Sequence, residues 1–479
     1  NLPQKASTVI VAVIDGGIDT NHVALKNLLW TNPKEIPNNN MDDDKNGYVD
    51  DVHGWNFLGG KDGRNVDKAA AEMTRIYHRY KSVYDGKQID TNQLNSTEKD
   101  TYLIWKQTAN EINVAENDLG ALQYIKMASN AIKKMGAILL KELPDSNFTT
   151  TSLESYQPIG RVTLDTKMAY LRAVKILGIE KESTYPEVVK DLEEYVEGKE
   201  KAAIAKEESP ADIRADIIKD TYFNFSDKYY GNNDITGPNA RHGTHVAGII
   251  AAIRGNNKGG DGVADNVKIM SIRTVPNGDE FDKDIYLAIK YAVDNGASVI
   301  NMSFGKAYSP HQEKVYEAFQ YADSKGVLLI HAAGNDAKDI DIEPNYPTSM
   351  YSFQEVKLDH FLTIGASTKN KGEELTASFS NFGKKGVDIF APGFEIYNSV
   401  TENQYQNLQG TSMAAPMVAG VAAMLKSYFP SLSMSEIKSI ILSSGTTYKG
   451  NFLNLSATGK VVNVYNAVKS CQKLEASKN

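Results

Sequence analysis

Cysteine is almost missing from this chain, and so are long apolar runs and an excess of positive charge. The single cysteine among 479 residues, Cys471, excludes an intrachain disulfide, so stability has to come from core packing, to which a bound metal could add. No apolar stretch approaches the roughly 20 residues of a membrane-spanning helix. The formal net charge of −8 disfavours nucleic acid as a partner.

What is present is the composition of a soluble globular protein, 41% hydrophobic and 23% charged. Short, continuous apolar runs rich in β-branched residues are typical of strands buried on both faces of a parallel sheet. Amphipathic stretches that stop at glycine predict helices between them. The predicted strands are residues 8–14, 267–272, 298–302, 326–331 and 361–365, and the predicted helices are residues 282–295 and 312–325. This alternation predicts an α/β fold with a doubly wound, mainly parallel sheet.

The middle of the chain, residues 61–235, is poor in glycine and rich in Lys, Glu, Ala, Leu and Tyr. Four of its stretches have apolar residues at the three- and four-residue spacing of amphipathic helices, namely residues 73–84, 97–136, 163–177 and 185–206. Acidic and basic residues nearly balance there, which disfavours a disordered tail. We therefore predict a discontinuous α/β domain over residues 1–60 and 236–479, interrupted by an α-helical insertion over residues 61–235.

Two polar residues occupy positions where α/β folds place their sites. Asp15 directly follows the first apolar run, at the carboxyl end of a predicted strand. A turn aspartate before two flexible glycines is the alternative. His242 begins a helix of small residues and can project from its N-terminal end. It forms an H-x-x-H pair with His245, but the helical zinc motif needs i,i+4 spacing and a Glu, so we expect His245 to pack within the fold.

Ser412 stands at the start of a third segment, Gly-Thr-Ser-Met-Ala-Ala-Pro over residues 410–416, which leads into an apolar helix. Its backbone N–H and the helix dipole would favour negative charge beside its hydroxyl. Pro416 is tolerated because the first-turn N–H groups have no partner within the helix. An ordinary N-cap serine is the alternative.

Taken together, the three segments indicate nucleophilic catalysis. A serine hydroxyl needs a base to take its proton, histidine suits neutral pH, and an aspartate fixes the imidazole tautomer. The chain order is Asp15, His242 and Ser412, which differs from the order in α/β-hydrolases. The segments Val-Ile-Asp-Gly-Gly-Ile-Asp, His-Gly-Thr-His-Val-Ala-Gly and Gly-Thr-Ser-Met-Ala-Ala-Pro resemble the three signature segments of the subtilase family of serine endopeptidases.

The resemblance implies a subtilisin-like fold and further site residues. Ala-Ala-Gly-Asn at residues 332–335 resembles the family's strand-end segment, which implies that Asn335 donates its amide to the oxyanion. Ser303, Phe304 and Gly305 resemble the segment that pairs with substrate backbone and walls the S1 pocket. Asn345 resembles the base of that pocket, where it would make the pocket shallower or more polar.

An acidic loop at residues 42–51 predicts a calcium site. Asp42, Asp44 and Asn46 match positions 1, 3 and 5 of an EF-hand-type loop, with a glycine for the sharp turn. Its other candidate ligands are the Tyr48 carbonyl, Asp50 and Asp51, because position 12 is His53 instead of a glutamate. A solvated Asp/Asn turn without a cation is the alternative.

His242 stands 227 positions after Asp15, whereas this interval is usually short in subtilases. The insertion could shape substrate access, recruit a partner, or be a surface ornament. Two other functions stay open: a catalytically idle binding protein that uses the insertion, and an esterase on the same triad.

For partners we expect polypeptide substrates and no nucleic acid. Because a broad protease and a calcium loop suit the cell exterior, we expect secretion or a place in a bacterial cell envelope. No signal peptide is seen at Asn1, and we expect that one was removed.

Overall fold

The computed structural model describes residues 6–117, 119–143, 145–177, 179, 181, 183–354 and 358–478. The chain divides into two compact units. One contains the chain up to Glu72 together with the chain from Ala211 onward, and the other is Met73–Pro210. Residues 61–72 and 211–235, which composition had grouped with the insertion, therefore belong to the α/β unit.

The strands lie in the α/β unit. They are β1 (Val9–Asp15), β2 (Gly54–Asn56), β3 (Val267–Arg273), β4 (Val299–Met302), β5 (Leu328–Ala332), β6 (Phe361–Ser367), β7 (Ile389–Pro392), β8 (Ile396–Val400), β9 (Gln404–Leu408), β10 (Thr446–Thr447) and β11 (Lys460–Val461). Within the described residues, nine of them form one sheet in the order β10-β11-β7-β6-β5-β4-β1-β3-β2, and β8 and β9 form a separate hairpin.

The helices begin with those of the helical unit and continue through the α/β unit. They are α1 (Glu72–Tyr84), α2 (Ser96–Asn117), α3 (Leu119–Leu139), α4 (Thr150–Ser155), α5 (Arg161–Ile176), α6 (Tyr185–Ile204), α7 (Ala240–Ala251), α8 (Asp282–Asp294), α9 (Gln312–Ser324), α10 (Thr411–Tyr428), α11 (Met434–Ser444) and α12 (Val464–Lys478). A π-helical turn lies at Arg214–Ile218, and short 3-10 turns lie at Gly372–Leu375 and Gly450–Asn454. Among the described residues, no helix is both long and apolar enough to cross a membrane.

The large sheet is parallel from β2 to β11, and only the β10–β11 pair is antiparallel. The central strand β1 consists of apolar residues as far as Ile14, and every position but one is buried. In its register, Asp15 lies opposite Arg273 of β3, and Ile14 lies opposite Met302 of β4. Because parallel strands end at the same edge, the residues that follow β1, β4 and β5 are brought together. The predicted doubly wound, mainly parallel α/β fold is confirmed.

Both faces of the sheet are covered by helices. Val11 and Val13 belong to a core cluster with α7 and α10, whereas Ala12 and Ile14 belong to the cluster with α8 and α9. Alternate side chains of one strand thus enter two cores, which explains why β1 is apolar throughout instead of alternating with polar residues. Each Å² of apolar surface removed from water contributes roughly 25 cal/mol to the free energy of folding. Because these two clusters contain most of the buried apolar side chains, they supply the main stabilisation of the unit.

The helical unit has a core of its own. Two of its helices, α3 and α5, contribute residues that pack with α4, α6 and the connecting loops. The buried members are Ile132, Leu139, Phe148, Leu153, Tyr170, Val174 and Val188. Elsewhere in this unit the indole N–H of Trp105 donates to the carbonyl of Tyr77. A separate apolar core indicates that the unit is stabilised by its own packing.

Buried ion pairs flank the two points where the chain leaves and re-enters the α/β unit. Glu72, its last residue before the helical unit, contacts Lys306 Nζ at 2.8 Å, and Asp282 contacts the same atom at 2.7 Å. Burial alone would lower the pKa of Lys306, but these carboxylates raise it, so the ammonium stays charged. After the return, Arg214 pairs with Asp284 at 2.8 Å.

Substitution of two glycines tests the close backbone contact between β2 and β3 at the edge of the sheet. Gly54 in β2 has φ +134°, and a Cβ there would lie 1.8 Å from the carbonyl oxygen of Ser271. Gly63 has φ +85°, with nothing within 4 Å of its Cβ position. We expect Gly63→Ala to cost about 1–2 kcal/mol of unfolding free energy, the price of a left-handed alanine. Gly54→Ala should cost clearly more, because the β2–β3 pairing must also open. Differential scanning calorimetry measures both, and equal shifts in the unfolding temperature would contradict the close contact.

Candidate active site

Asp15 and His242 are joined by a hydrogen bond at the carboxyl edge of the sheet. Asp15 ends β1 and is buried, and His242 is the third residue of α7. The His242 Nδ1 atom lies 2.8 Å from Asp15 Oδ1 and 3.0 Å from Oδ2. Because a carboxylate only accepts, Nδ1 carries the proton, and in the neutral form of the ring Nε2 is then the basic nitrogen.

A glycine makes this approach of α7 to β1 feasible. A Cβ on Gly243 would stand 2.2 Å from the carbonyl oxygen of Gly17 and 3.1 Å from Asp15 Oδ1. The backbone of Gly16 also donates to Asp15 Oδ1 at 2.7 Å, which fixes the carboxylate. The Asp-Gly-Gly and His-Gly sequences are therefore geometric requirements of this contact.

His245 is buried and plays a different part. Its Nε2 donates to the backbone carbonyls of Ile396 and Gln406, at 2.9 and 3.1 Å. Burial lowers the pKa of this imidazole to about 4, so it is neutral near pH 7. The ring thereby holds the β8–β9 hairpin against α7, in line with the packing role expected from the sequence.

Ser412 is the second residue of α10 and is hydrogen-bonded to Ser303, the residue that follows β4. Its Oγ donates to the carbonyl of Ser303 at 3.2 Å, and Ser303 Oγ donates to the carbonyl of Ser412 at 2.9 Å. Asn301 Nδ2 donates in turn to Ser303 Oγ at 2.9 Å. Ser412 thus stands at a helix N-terminus, where free N–H groups and the helix dipole favour an anion.

Asn335 follows β5 and is oriented by a residue that sequence reasoning missed. Its Oδ1 accepts hydrogen bonds from both the N–H and the hydroxyl of Thr411, each at 2.9 Å. Thr411 Oγ1 also accepts from the N–H of Gly334 at 3.0 Å. The Thr of the Gly-Thr-Ser segment was visible in the sequence, but its partner across the sheet edge was not.

Asn335 Nδ2 and the backbone nitrogen of Ser412 both lie near Gly410. A Cβ on Gly410 would lie 3.4 Å from Asn335 Nδ2 and 3.6 Å from the backbone nitrogen of Ser412. Two N–H donors from separate elements therefore border the same small space. Such a pair suits a developing oxyanion.

Asn345 lies beside the segment Ser303–Phe304–Gly305. Lys306 and Tyr346 exchange backbone hydrogen bonds at 2.9 and 2.8 Å, which brings the two segments together. A Cβ on Gly305 would be 2.6 Å from Asn345 Nδ2, and one on Gly334 would be 3.1 Å from it. The Asn345 amide thus fills the space between the exits of β4 and β5.

Phe304 is buried, unlike its exposed neighbour Gly305. Its carbonyl accepts a hydrogen bond from Nε2 of His331 at 2.8 Å, and burial lowers the pKa of His331 to about 4. A neutral histidine on β5 therefore fixes the backbone carbonyl in the middle of this segment.

The acidic loop is held together by its own backbone. Asp42 accepts from the N–H groups of Asn46 and Gly47 at 3.0 and 2.8 Å, and Asp44 accepts from that of Asn46 at 3.1 Å. Glu35, which the sequence analysis did not name, has a carboxylate oxygen within 4.8 Å of oxygens of Asp42 and Asp44. Burial raises the pKa of the Glu35 carboxyl, so its charge is unfavourable there without compensation.

The other predicted ligands face different partners. The Asp50 carboxylate accepts from the N–H groups of Asn39 and Asn40, at 3.2 and 2.8 Å. Asp51 is fully buried and accepts from Asn32, from the Asn46 amide and from the Tyr291 hydroxyl. Burial raises the pKa of Asp51 to about 6. The ring of Tyr48 is buried beside the rings of Trp55 and Tyr291.

Comparison with known proteins fits this arrangement. The model of the subtilase family (Peptidase_S8) matches residues 6–460. A thermophilic serine proteinase of Bacillus sp. (strain AK1) is 36% identical over 249 residues, 51% of this chain and 56% of that protein. Subtilisin DY of Bacillus licheniformis is 36% identical over 213 residues, 44% of this chain and 72% of that protein.

A cell wall-associated protease of Bacillus subtilis (strain 168) is also 36% identical, over 232 residues that make up 48% of this chain and 24% of that protein. Each match thus covers only part of the relative's length. Because the family model spans nearly all of the α/β unit and the insertion within it, the chain belongs to the subtilase family.

Proposed function

We propose that this protein is a serine endopeptidase with Ser412 as nucleophile, His242 as general base and Asp15 as the group that orients the base. The observation that carries the proposal is the Asp15–His242 hydrogen bond, since it holds the proton on Nδ1 and makes Nε2 the nitrogen that acts as the base. Membership of the subtilase family and the serine proteinases among the relatives support the same reaction.

In the proposed mechanism, Ser412 Oγ attacks the scissile carbonyl and its proton passes to His242 Nε2. The negative charge that develops on the carbonyl oxygen is met by Asn335 Nδ2 and the N–H of Ser412. His242 then protonates the leaving amine. In the second half of the reaction a water molecule gives a proton to His242 and attacks the acyl carbonyl, and Ser412 Oγ leaves with the proton that His242 returns to it. Asp15 stabilises the imidazolium without taking the proton itself.

We propose that the substrate binds as an extended polypeptide along Ser303–Gly305 by strand addition. Gly305 is exposed and has no side chain to obstruct a neighbouring strand. The side chain of the residue that carries the scissile carbonyl, the P1 residue, would enter the space that Asn345 partly fills. We therefore expect a preference for small P1 side chains.

Calcium is the cofactor we propose, with a structural role. The candidate ligands of the acidic loop are all oxygen atoms, which suit a hard cation such as calcium. Carboxylate oxygens of Asp42 and Asp44 lie close together there. We also propose that the protein works outside the cytoplasm. The cell wall-associated relative and a calcium loop, suited to calcium-rich surroundings, support this location.

Labelling with a fluorophosphonate tests the nucleophile. We expect an adduct on Ser412, mapped by mass spectrometry, because only an activated serine reacts. His242→Ala should abolish the adduct. Ser412→Ala and His242→Ala should each lower kcat on an unfolded protein substrate by about 10⁶-fold, the magnitude known for the equivalent groups of subtilisin.

Three other results of this experiment would point elsewhere. Unchanged proteolysis by Ser412→Ala would refute the mechanism. Absence of an adduct in calcium-replete buffer would favour a binding protein. Turnover of small esters without cleavage of any peptide would favour an esterase.

The S1 space is tested by Asn345→Gly, which removes the amide between Gly305 and Gly334. We expect kcat/KM for peptides with Phe at P1, relative to Ala at P1, to rise by about tenfold or more, because the pocket deepens by a side chain. Asn370→Gly, at an exposed position, is the matched control and should leave the ratio unchanged. An unaltered ratio in Asn345→Gly would show that this residue does not limit P1 size.

A further inference from the structure

A buried carboxylate outside the acidic loop lies close to Asp42 and Asp44 of the loop. Glu35 is only 7% exposed, and its Oε1 accepts from the N–H groups of Asp43 and Asp44 at 3.0 and 3.2 Å. Its Oε2 is buried and has no hydrogen-bond partner among the described residues. Glu35, Asp42 and Asp44 each place one carboxylate oxygen within 4.8 Å of the others.

We propose that Glu35 is the carboxylate that closes a calcium site with Asp42 and Asp44. Calcium holds oxygen ligands at about 2.3–2.6 Å, so two ligands of one ion lie at most about 5 Å apart, and the observed spread of 4.8 Å fits. The inference rests on the proposed calcium binding of the loop and adds a ligand from outside it.

The proposal explains how the loop manages without an EF-hand glutamate at position 12. His53 occupies that position, and its Nδ1 donates to the carbonyl of Trp30 at 2.6 Å. Glu35 reaches the ion from the N-terminal side of the loop instead. With Oε1 held by two backbone N–H groups, Oε2 is the oxygen left to bind the cation.

The remaining acidic side chains of the loop then have structural roles. Both oxygens of Asp50 accept backbone N–H groups, and both oxygens of Asp51 accept from side chains. Asp42 and Asp44 also accept N–H groups, but among the described residues it is their oxygens that lie within 4.8 Å of an oxygen of Glu35, so these three carboxylates can share one ion. Without a cation, three carboxylates crowd one partly buried space, and their mutual repulsion opposes folding.

The test compares Glu35→Gln with the wild type after removal of metal by a chelator. Isothermal titration with calcium gives the affinity, and thermal unfolding with and without calcium gives the stabilisation. We expect Glu35→Gln to weaken calcium binding by about tenfold or more and to shrink the calcium-dependent rise in unfolding temperature. The Gln side chain keeps an oxygen for the N–H groups of Asp43 and Asp44.

A second readout separates a ligand from a merely structural residue. Without calcium, Glu35→Gln should unfold at the same temperature as the wild type or higher, because one of three crowded charges is gone. Asp50→Asn is the matched control. It should unfold at a lower temperature both with and without calcium and keep its calcium affinity, because its carboxylate only ties residues 39 and 40.

Wild-type calcium affinity in Glu35→Gln would overturn the role of Glu35. Lack of calcium binding by the wild-type protein would overturn the site itself, while the fluorophosphonate result would stand independently. If Glu35→Gln does not fold, Glu35→Asp provides the comparison of calcium affinity, since the shorter side chain keeps the charge but withdraws its oxygen from Asp42 and Asp44.

Discussion

The hydrogen bond between His242 and Asp15 is the contact on which the geometry of the candidate active site depends. It joins the end of β1 to the start of α7 across 227 positions of the chain. The contact requires backbone close to backbone, since a Cβ on Gly17 would stand 2.0 Å from the carbonyl oxygen of Thr236. The chain that returns from the helical unit therefore packs against the residues that follow β1 before α7 begins. This contact places the start of α7, and with it His242, beside Asp15.

The insertion is compatible with this geometry because its two ends are held within the α/β unit. Glu72 is paired with Lys306 where the chain leaves, and Arg214 is paired with Asp220 and Asp284 where it returns. Removing one partner of a buried pair typically costs about 3–5 kcal/mol, because the other charge is stranded. By contrast, lengthening a connection costs little, about 0.6 kcal/mol for each doubling. The length between the anchors can thus vary while the site stays fixed.

Local patterns were sufficient to predict five neighbouring strands of the large sheet, β1, β3, β4, β5 and β6, and the helices α8 and α9. The run predicted as a strand over residues 8–14 is β1, Val9–Asp15, and the helix predicted over residues 282–295 is α8, Asp282–Asp294. Such elements are recognisable because continuous burial and amphipathic periodicity are properties of neighbouring residues. The signature segments around Asp15, His242 and Ser412 are equally local, which is why they could be named.

What the sequence could not reveal depends on contacts between distant segments. Glu35 belongs to no motif, and only the fold places its carboxylate beside Asp42. Thr411 orients Asn335 across 76 positions of the chain. The limits of the two units also depend on such contacts. Composition does not reveal that the residues next to the Glu72–Lys306 and Arg214–Asp284 ion pairs pack with the α/β unit.

The position of the nucleophile follows from the packing of α10. This helix has five alanines and one glycine, Gly420, and a Cβ on Gly420 would lie 2.7 Å from Cβ of Val263. A helix of small residues can lie close against its neighbours, so its N-terminus reaches the edge where β4 and β5 end. Gly410, with φ +148°, turns the chain into the helix there. The oxyanion donors and Ser412 are thus placed by a close-packed core, and larger side chains along α10 would displace the site without touching any of its residues.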